Sequence, residues 1–183
     1  MTNLVGIDEA GRGALAGPLF VAACKLNNNL SYLKDSKQLS PKKRSLFYKE
    51  IIKDSNYFIL SFSNIQIDNL GLSECLRIAL RLIKKHFSNC DFIYDGNTNL
   101  GIKDINTMIK ADSKILEVSA ASILAKYSRD KTMDLLSIKY QNYDFLKNKG
   151  YGSKTHINAI VKFGYSNIHR KSFNLKCFEN NLF

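Results

Sequence analysis

Four carboxylates carry the chemistry this sequence could perform. Asp8 and Glu9 stand together after a short apolar run, Leu4-Val5-Gly6-Ile7, and Gly11-Arg12-Gly13 follows one residue later. Asp95 closes a second apolar run, Phe92-Ile93-Tyr94, and precedes Gly96-Asn97. Asp112 lies in Lys110-Ala111-Asp112-Ser113-Lys114, just ahead of a long helical pattern. Acids at strand and helix ends could converge at one edge of a sheet, where open α/β proteins place their sites. An oxygen-only donor set selects Mg²⁺ or Mn²⁺ over zinc. Two such ions about 4 Å apart could activate a water and stabilise a leaving oxygen in phosphodiester hydrolysis. Neighbouring strand residues point to opposite faces, so Asp8 and Glu9 serve one site only if the strand stops there. Gly11 and Gly13 supply that break. The turn would set backbone N–H groups and Arg12 beside the anions, a place to hold a divalent cation against a phosphate.

Each residue also has a purely local explanation. Asp8 and Glu9 could be the solvated pair of a hairpin, and Asp95-Gly96 is a common turn dipeptide. Asp112 or Ser113 could cap the long helix, and Asp35 could form an Asx turn. Lys126 and Arg129 could occupy a solvated helix face. Tyr151, bracketed by Gly150 and Gly152, could pack as an ordinary aromatic or sit beside a backbone or ligand. Other chemistries lack their residues. His86, His156 and His169 show no zinc spacing, and there is neither a Gly-x-x-x-x-Gly-Lys loop nor a Gly-x-Ser-x-Gly elbow.

The elements that must position these side chains follow from pattern. Residues 4–9 and 19–26 read as strands of an opening hairpin. Ser40-Pro41 caps and starts a helix to about residue 53, with Phe47, Ile51 and Ile52 inward. Residues 57–65 alternate as a strand, and 73–87 form a helix with Leu76, Ala79, Leu80 and Ile83 on its apolar face. Short strands are expected at 91–94 and 105–109, and a long helix at about 115–138. In that helix, Ala120, Ala121 and Ala125 permit close backbone approach. A basic loop spans 147–152, a helix 155–163, and the tail from Ser166 is irregular or briefly helical. Strands early and helices late make an α/β layered protein on one sheet, and 183 residues suit a single domain, 1–183.

The net charge of +11 points to an anionic partner, nucleic acid or an anionic membrane surface. Between Lys126 and Lys176 eleven basic residues face three acidic ones, so the excess is concentrated in the C-terminal part. Cys24, Cys75, Cys90 and Cys177 are widely spaced, so buried thiols are expected rather than a disulfide framework. No signal peptide or apolar run of about 18 residues is present, so a cytoplasmic protein without a membrane anchor is expected.

Taken in order, the blocks Gly6-Ile7-Asp8-Glu9-Ala10-Gly11-Arg12-Gly13, Asp35-Ser36-Lys37, Tyr94-Asp95-Gly96-Asn97, Lys110-Ala111-Asp112-Ser113-Lys114, Ala120-Ala121-Ser122-Ile123-Leu124-Ala125-Lys126, Arg129-Asp130, Lys149-Gly150-Tyr151-Gly152 and His169-Arg170-Lys171-Ser172-Phe173 resemble bacterial ribonuclease HII over nearly the whole chain. The resemblance implies a ribonuclease H-like α/β fold: a mixed central sheet flanked by helices, with C-terminal helices beside the substrate groove. It implies a metal-dependent endonuclease, using Mn²⁺ or Mg²⁺, that hydrolyses RNA in RNA–DNA hybrids and at single ribonucleotides in duplex DNA. The cut would fall 5′ of the ribonucleotide and leave 3′-hydroxyl and 5′-phosphate ends. Such an enzyme would serve ribonucleotide excision repair or primer removal in replication.

By the same resemblance Asp8, Glu9, Asp95 and Asp112 are catalytic metal ligands. Gly11, Arg12 and Gly13 contact the backbone around the 2′-hydroxyl, the group that separates RNA from DNA. Tyr151 sits by the junction and favours deoxyribose on the 3′ side, and Lys37, Lys126 and Arg129 are further substrate contacts. The basic C-terminal part becomes a phosphate track. Ala14, Ala111 and Ser153 replace the family's usual proline, glycine and threonine. With Asp8 so near the first residue, the N-terminal domain of the sister family, ribonuclease HIII, is not expected, and a monomer is expected. The final Leu182-Phe183 resembles sliding-clamp-binding tails.

Overall fold

The structure, a computed structural model, describes residues 3–28 and 39–173. Five strands form one mixed sheet in the order β3-β2-β1-β4-β5. They are β1 (Leu4–Ala10), β2 (Leu19–Leu26), β3 (Ser55–Phe62), β4 (Asp91–Asp95) and β5 (Ile105–Met108). The first three run as an antiparallel meander, while β4 pairs parallel to β1 and β5 parallel to β4. The helices are α1 (Pro41–Lys53), α2 (Asn64–Leu70), α3 (Leu72–His86), α4 (Leu116–Lys139), α5 (Phe145–Asn148) and α6 (Lys154–Phe163). The fold is ribonuclease H-like α/β, as the resemblance implies.

Strand alternation divides the core in two. On one face Val5, Ile7, Leu19, Val21, Phe92 and Tyr94 pack with Leu76, Ala79, Leu80 and Ile83 of α3. On the other, Ala22 and Cys24 pack with Ile51 of α1 and with Ala120, Ala121 and Leu124 of α4. A third cluster joins Ala16 and Met133 to Tyr143, Phe145, Ala159 and Ile160. α4 lies tight against the sheet at Gly6, where an added Cβ would overlap the backbone of Glu117 and Val118.

Several expectations shift in the structure. β1 does not stop at the carboxylates but runs through Ala10. The strand expected at 57–65 ends at Phe62, because Ser63 and Gln66 form a reciprocal capping box that opens α2. The loop expected from 147 is entered by a turn of helix, with Asp144 and Lys149 in the left-handed region at either end. The tail from Ser166 is tied down, with His169 bridging antiparallel to Ala16. Asp35, Ser36, Lys37, Cys177, Leu182 and Phe183 lie outside the described residues.

Candidate metal centre

Asp8, Asp95 and Asp112 come together from three elements. Asp8 projects from β1 on the α4 face, and Asp95 leaves the end of the parallel neighbour β4 on that same face. Asp112 sits on a short 3₁₀ turn, Ala111–Ser113, that leads into α4, and is only 4 % exposed. One carboxylate oxygen from each lies within 4.8 Å of the others. Asp8 Oδ1 accepts the Glu9 N–H at 2.7 Å, and the Ser122 side chain of α4 hydrogen-bonds the same carboxylate. Asp95 Oδ1 accepts the Ala111 N–H at 3.3 Å, which fastens the turn bearing Asp112 to the end of β4.

Glu9 is outside that three-oxygen group. Alternation sends it to the α3 face, where Tyr94 donates its hydroxyl to Oε2 at 2.7 Å and Arg12 Nη1 stands 3.5 Å from Oε1. It remains near enough for its charge to act on Asp8 and to feel that of Asp95.

The electrostatics are those of a site short of positive charge. Burial, then the charges of Glu9 and Asp95, push the Asp8 carboxyl up to about 8. Burial raises Glu9, and burial with the neighbouring Asp112 charge raises Asp95. Packed carboxylates with all-oxygen donors suit a hard divalent cation, which would offset the cost of ionising them. Without metal, the raised Asp8 carboxyl makes stability depend on pH. Folded Asp8 keeps its proton to about pH 8, whereas the unfolded chain releases it near 3.8. Between these values the unfolded state binds fewer protons, so Asp8's contribution is complete below pH 3.8 and is lost as pH rises through about 8. In EDTA, Asp8→Asn should therefore be the more stable protein by about 2 kcal/mol at pH 8 and gain much less at pH 5. Thermal melts at both pH values check this; parallel melting curves would refute it.

Behind the centre, the Gly11–Pro18 loop is held from beneath by two fully buried arginines. Arg129 donates through Nε to Pro18 O at 3.0 Å and through Nη2 to Ala16 O at 3.2 Å. Arg170 donates through Nε to Gly17 O at 3.0 Å and through Nη1 to Arg12 O at 3.1 Å. Gly11 has φ +94°, and a Cβ there would collide with the Arg129 side chain. Burial, then the charge of Arg129, brings the Arg170 guanidinium down to about 10. With carbonyls drawn inward, the loop presents Arg12, whose side chain is 48 % exposed, and the open side of Gly13, where a Cβ would touch nothing.

Arg129 is thus under the loop rather than on a solvated helix face. Its guanidinium also lies 4.9 Å from the Tyr151 ring centroid, and Lys126 Nζ lies 5.6 Å from it. Lys126 pairs with Asp130 at 2.7 Å. Asp130 also lines a cleft with Arg44, Tyr127, Lys131, Asp134 and Lys149, in which Lys149 pairs with Asp134. Tyr94, Ser122 and Arg170 also serve this site, and sequence alone does not single them out. Each stands inside a recognised block, but a hydrogen bond between distant segments leaves no periodicity to read.

The ribonuclease HII family model matches residues 5–176. Ribonuclease HII of Campylobacter jejuni subsp. doylei is 63 % identical over 174 residues, covering 94 % of this chain and 91 % of the relative. Among solved structures, the PCNA:RNase HII complex from Archaeoglobus fulgidus superposes with a TM-score of 0.78 at 25 % identity, covering 92 % of each chain. Ribonuclease H2 from Pyrococcus horikoshii OT3 gives 0.77 at 26 % identity, covering 93 % of each. With the acidic centre and the loop beside it resting on that same length of sequence, the chain belongs to the ribonuclease HII family.

Proposed function

We propose that this protein is a metal-dependent endonuclease that hydrolyses RNA in RNA–DNA hybrids and at single ribonucleotides embedded in duplex DNA. The observation that carries the reading is the meeting of Asp8, Asp95 and Asp112 oxygens within 4.8 Å at one end of the sheet. Asp8, Asp95 and Asp112, with Glu9 from the adjoining face, would hold Mn²⁺ or Mg²⁺. Bound ions would supply activation of a water and neutralisation of the leaving 3′-oxygen. The chain's own groups do the rest. Ser122 and the Ala111 N–H orient two of the carboxylates, and Tyr94 orients Glu9.

The Gly11-Arg12-Gly13 loop receives the backbone around the 2′-hydroxyl, since Arg12 is exposed and Gly13 leaves room for close approach. Tyr151 lies against the deoxyribose on the 3′ side of the ribonucleotide. Lys37, Lys126, Lys131 and Lys149 track phosphates without reading sequence, and Arg129 acts through the loop it supports. The cut falls 5′ of the ribonucleotide, in a single domain working as a cytoplasmic monomer. No helix among the described residues is long and apolar enough to cross a membrane.

A duplex carrying one ribonucleotide, incubated with Mg²⁺, Mn²⁺ or EDTA, tests the reading. Cleavage at the 5′ phosphodiester with either ion and none in EDTA is expected. An intact duplex beside a cleaved hybrid would remove the single-ribonucleotide activity; two intact substrates would remove the nuclease. A clamp contact through Leu182-Phe183 is supported by the PCNA complex of the archaeal relative, and undiminished clamp co-elution after deleting residues 180–183 would end it.

A further inference from the structure

Two histidines that the proposed chemistry does not use are fully buried and face each other. His156 Nε2 and His169 Nε2 are 3.0 Å apart. Their outer nitrogens settle which one carries the proton. His169 Nδ1 lies 2.9 Å from the Ser166 N–H and 2.7 Å from the Ser166 hydroxyl. A backbone N–H can only donate, so Nδ1 accepts and the ring's hydrogen is on Nε2. His156 Nδ1 lies 2.9 Å from the Tyr151 carbonyl, which can only accept, so His156 bears its hydrogen on Nδ1. Both ends force one polarity: Ser166 N–H to His169, His169 Nε2–H to His156, His156 Nδ1–H to Tyr151 O.

A second proton on either ring would place two hydrogens head to head or against the Ser166 N–H. The surroundings agree. The rings of Tyr143 and Phe145 stand 4.9 to 6.4 Å from the two imidazoles, and Tyr165 flanks His169. No salt bridge to either imidazole is found among the described residues. Burial pushes both below the usual histidine range, His169 to about 4 with His156 contributing.

The two ends of this chain belong to different parts of the fold. His169 stands on a segment clamped to the loop after Gly11-Arg12-Gly13. Gly17 N donates to Ile168 O at 2.8 Å and Arg170 N to Leu15 O at 2.8 Å. The Tyr151 carbonyl, at the other end, also accepts the Ser153 N–H at 2.8 Å, and the preceding Gly150 carbonyl accepts Leu15 N at 2.8 Å. The geometry points to His156 and His169 as positioning residues: a two-imidazole relay of fixed polarity that sets Tyr151 at its distance from the Gly-Arg-Gly loop, so that the ribose and deoxyribose sides of a junction are read together. This rests on the role proposed above for Tyr151.

Imidazole ¹⁵N spectra of the full chain at neutral pH test the relay directly. His156 should be the Nδ1–H tautomer and His169 the Nε2–H tautomer; a reversed tautomer or a charged ring would overturn the proposal. The functional arm compares kcat/KM for a one-ribonucleotide duplex with that for a uniform RNA–DNA hybrid. His156→Gln, which removes the donor to Tyr151 O, should lower this ratio about 5- to 10-fold. His156→Asn, whose amide N–H can take the place of Nδ1–H, should stay within about twofold of the parent. Tyr151→Ala should lose the preference, and adding His156→Gln to it should cost nothing further. An unchanged ratio in His156→Gln beside a lost one in Tyr151→Ala overturns the positioning role. An unchanged ratio in Tyr151→Ala sinks the reading of Tyr151 itself, and the tautomer assignment, measured on the parent, tells the two failures apart.

Discussion

Replacing Asp95 by Asn should abolish hydrolysis while leaving the fold and hybrid binding nearly intact. Asp95 is the pivot of the centre: it ends β4, shares the three-oxygen group with Asp8 and Asp112, and accepts the Ala111 N–H that holds the Asp112 turn. An amide oxygen can still accept that hydrogen bond, so the turn should stay in place. What is lost is the negative charge that a divalent cation requires. Several kcal/mol of transition-state stabilisation then disappear, a fall in kcat of about 1000-fold or more. Removing one of several crowded carboxylates also relieves repulsion, so the melting temperature without metal should be equal or higher. Single-turnover cleavage beside a binding titration and a melt separates these effects. Turnover near the parent's level would exclude Asp95 from the chemistry.

Gly6→Ala should be the most destabilising single-methyl change in the sheet. Gly6 lies on the same β1 face as Asp8, and a Cβ there would overlap the Glu117 carbonyl carbon and the Val118 nitrogen of α4. Backbone, unlike the tip of a flexible side chain, cannot swing aside, so α4 or β1 must move as a unit. Forced overpacking costs about 3 kcal/mol in such a place, which lowers Tm by roughly 10 °C in a protein of this size. The displaced helix carries Ser122, and the turn before it carries Asp112, so the centre should loosen as well. Calorimetry and metal titration of Gly6→Ala together check the coupling. A variant that melts within about 2 °C of the parent would show that the helix can retreat without cost.

Much of the fold is legible in the sequence. Short apolar runs mark β1, β2 and β4, alternation marks β3, the spacing of Leu76, Ala79, Leu80 and Ile83 marks α3, and Ser40-Pro41 marks the start of α1. The ordered blocks marked the acids and the family. α2 was readable in principle from Ser63 and Gln66, yet the alternation of β3 runs straight into it and hides the boundary. Glu9 reads as a partner of Asp8 only if the strand breaks there; the strand instead runs through Ala10 and sends the two to opposite faces.

The period of each segment, and hence which residues share a face, is readable along the chain, because it depends on neighbours within a few positions. It takes the packed fold to bring Asp8, Asp95 and Asp112 to one end of the sheet, to lay Arg129 and Arg170 beneath the glycine loop, and to set His156 against His169. Those pairings join segments up to 158 residues apart. They are fixed by sheet order and by the seating of α4 on β1, and neither is encoded in any local period.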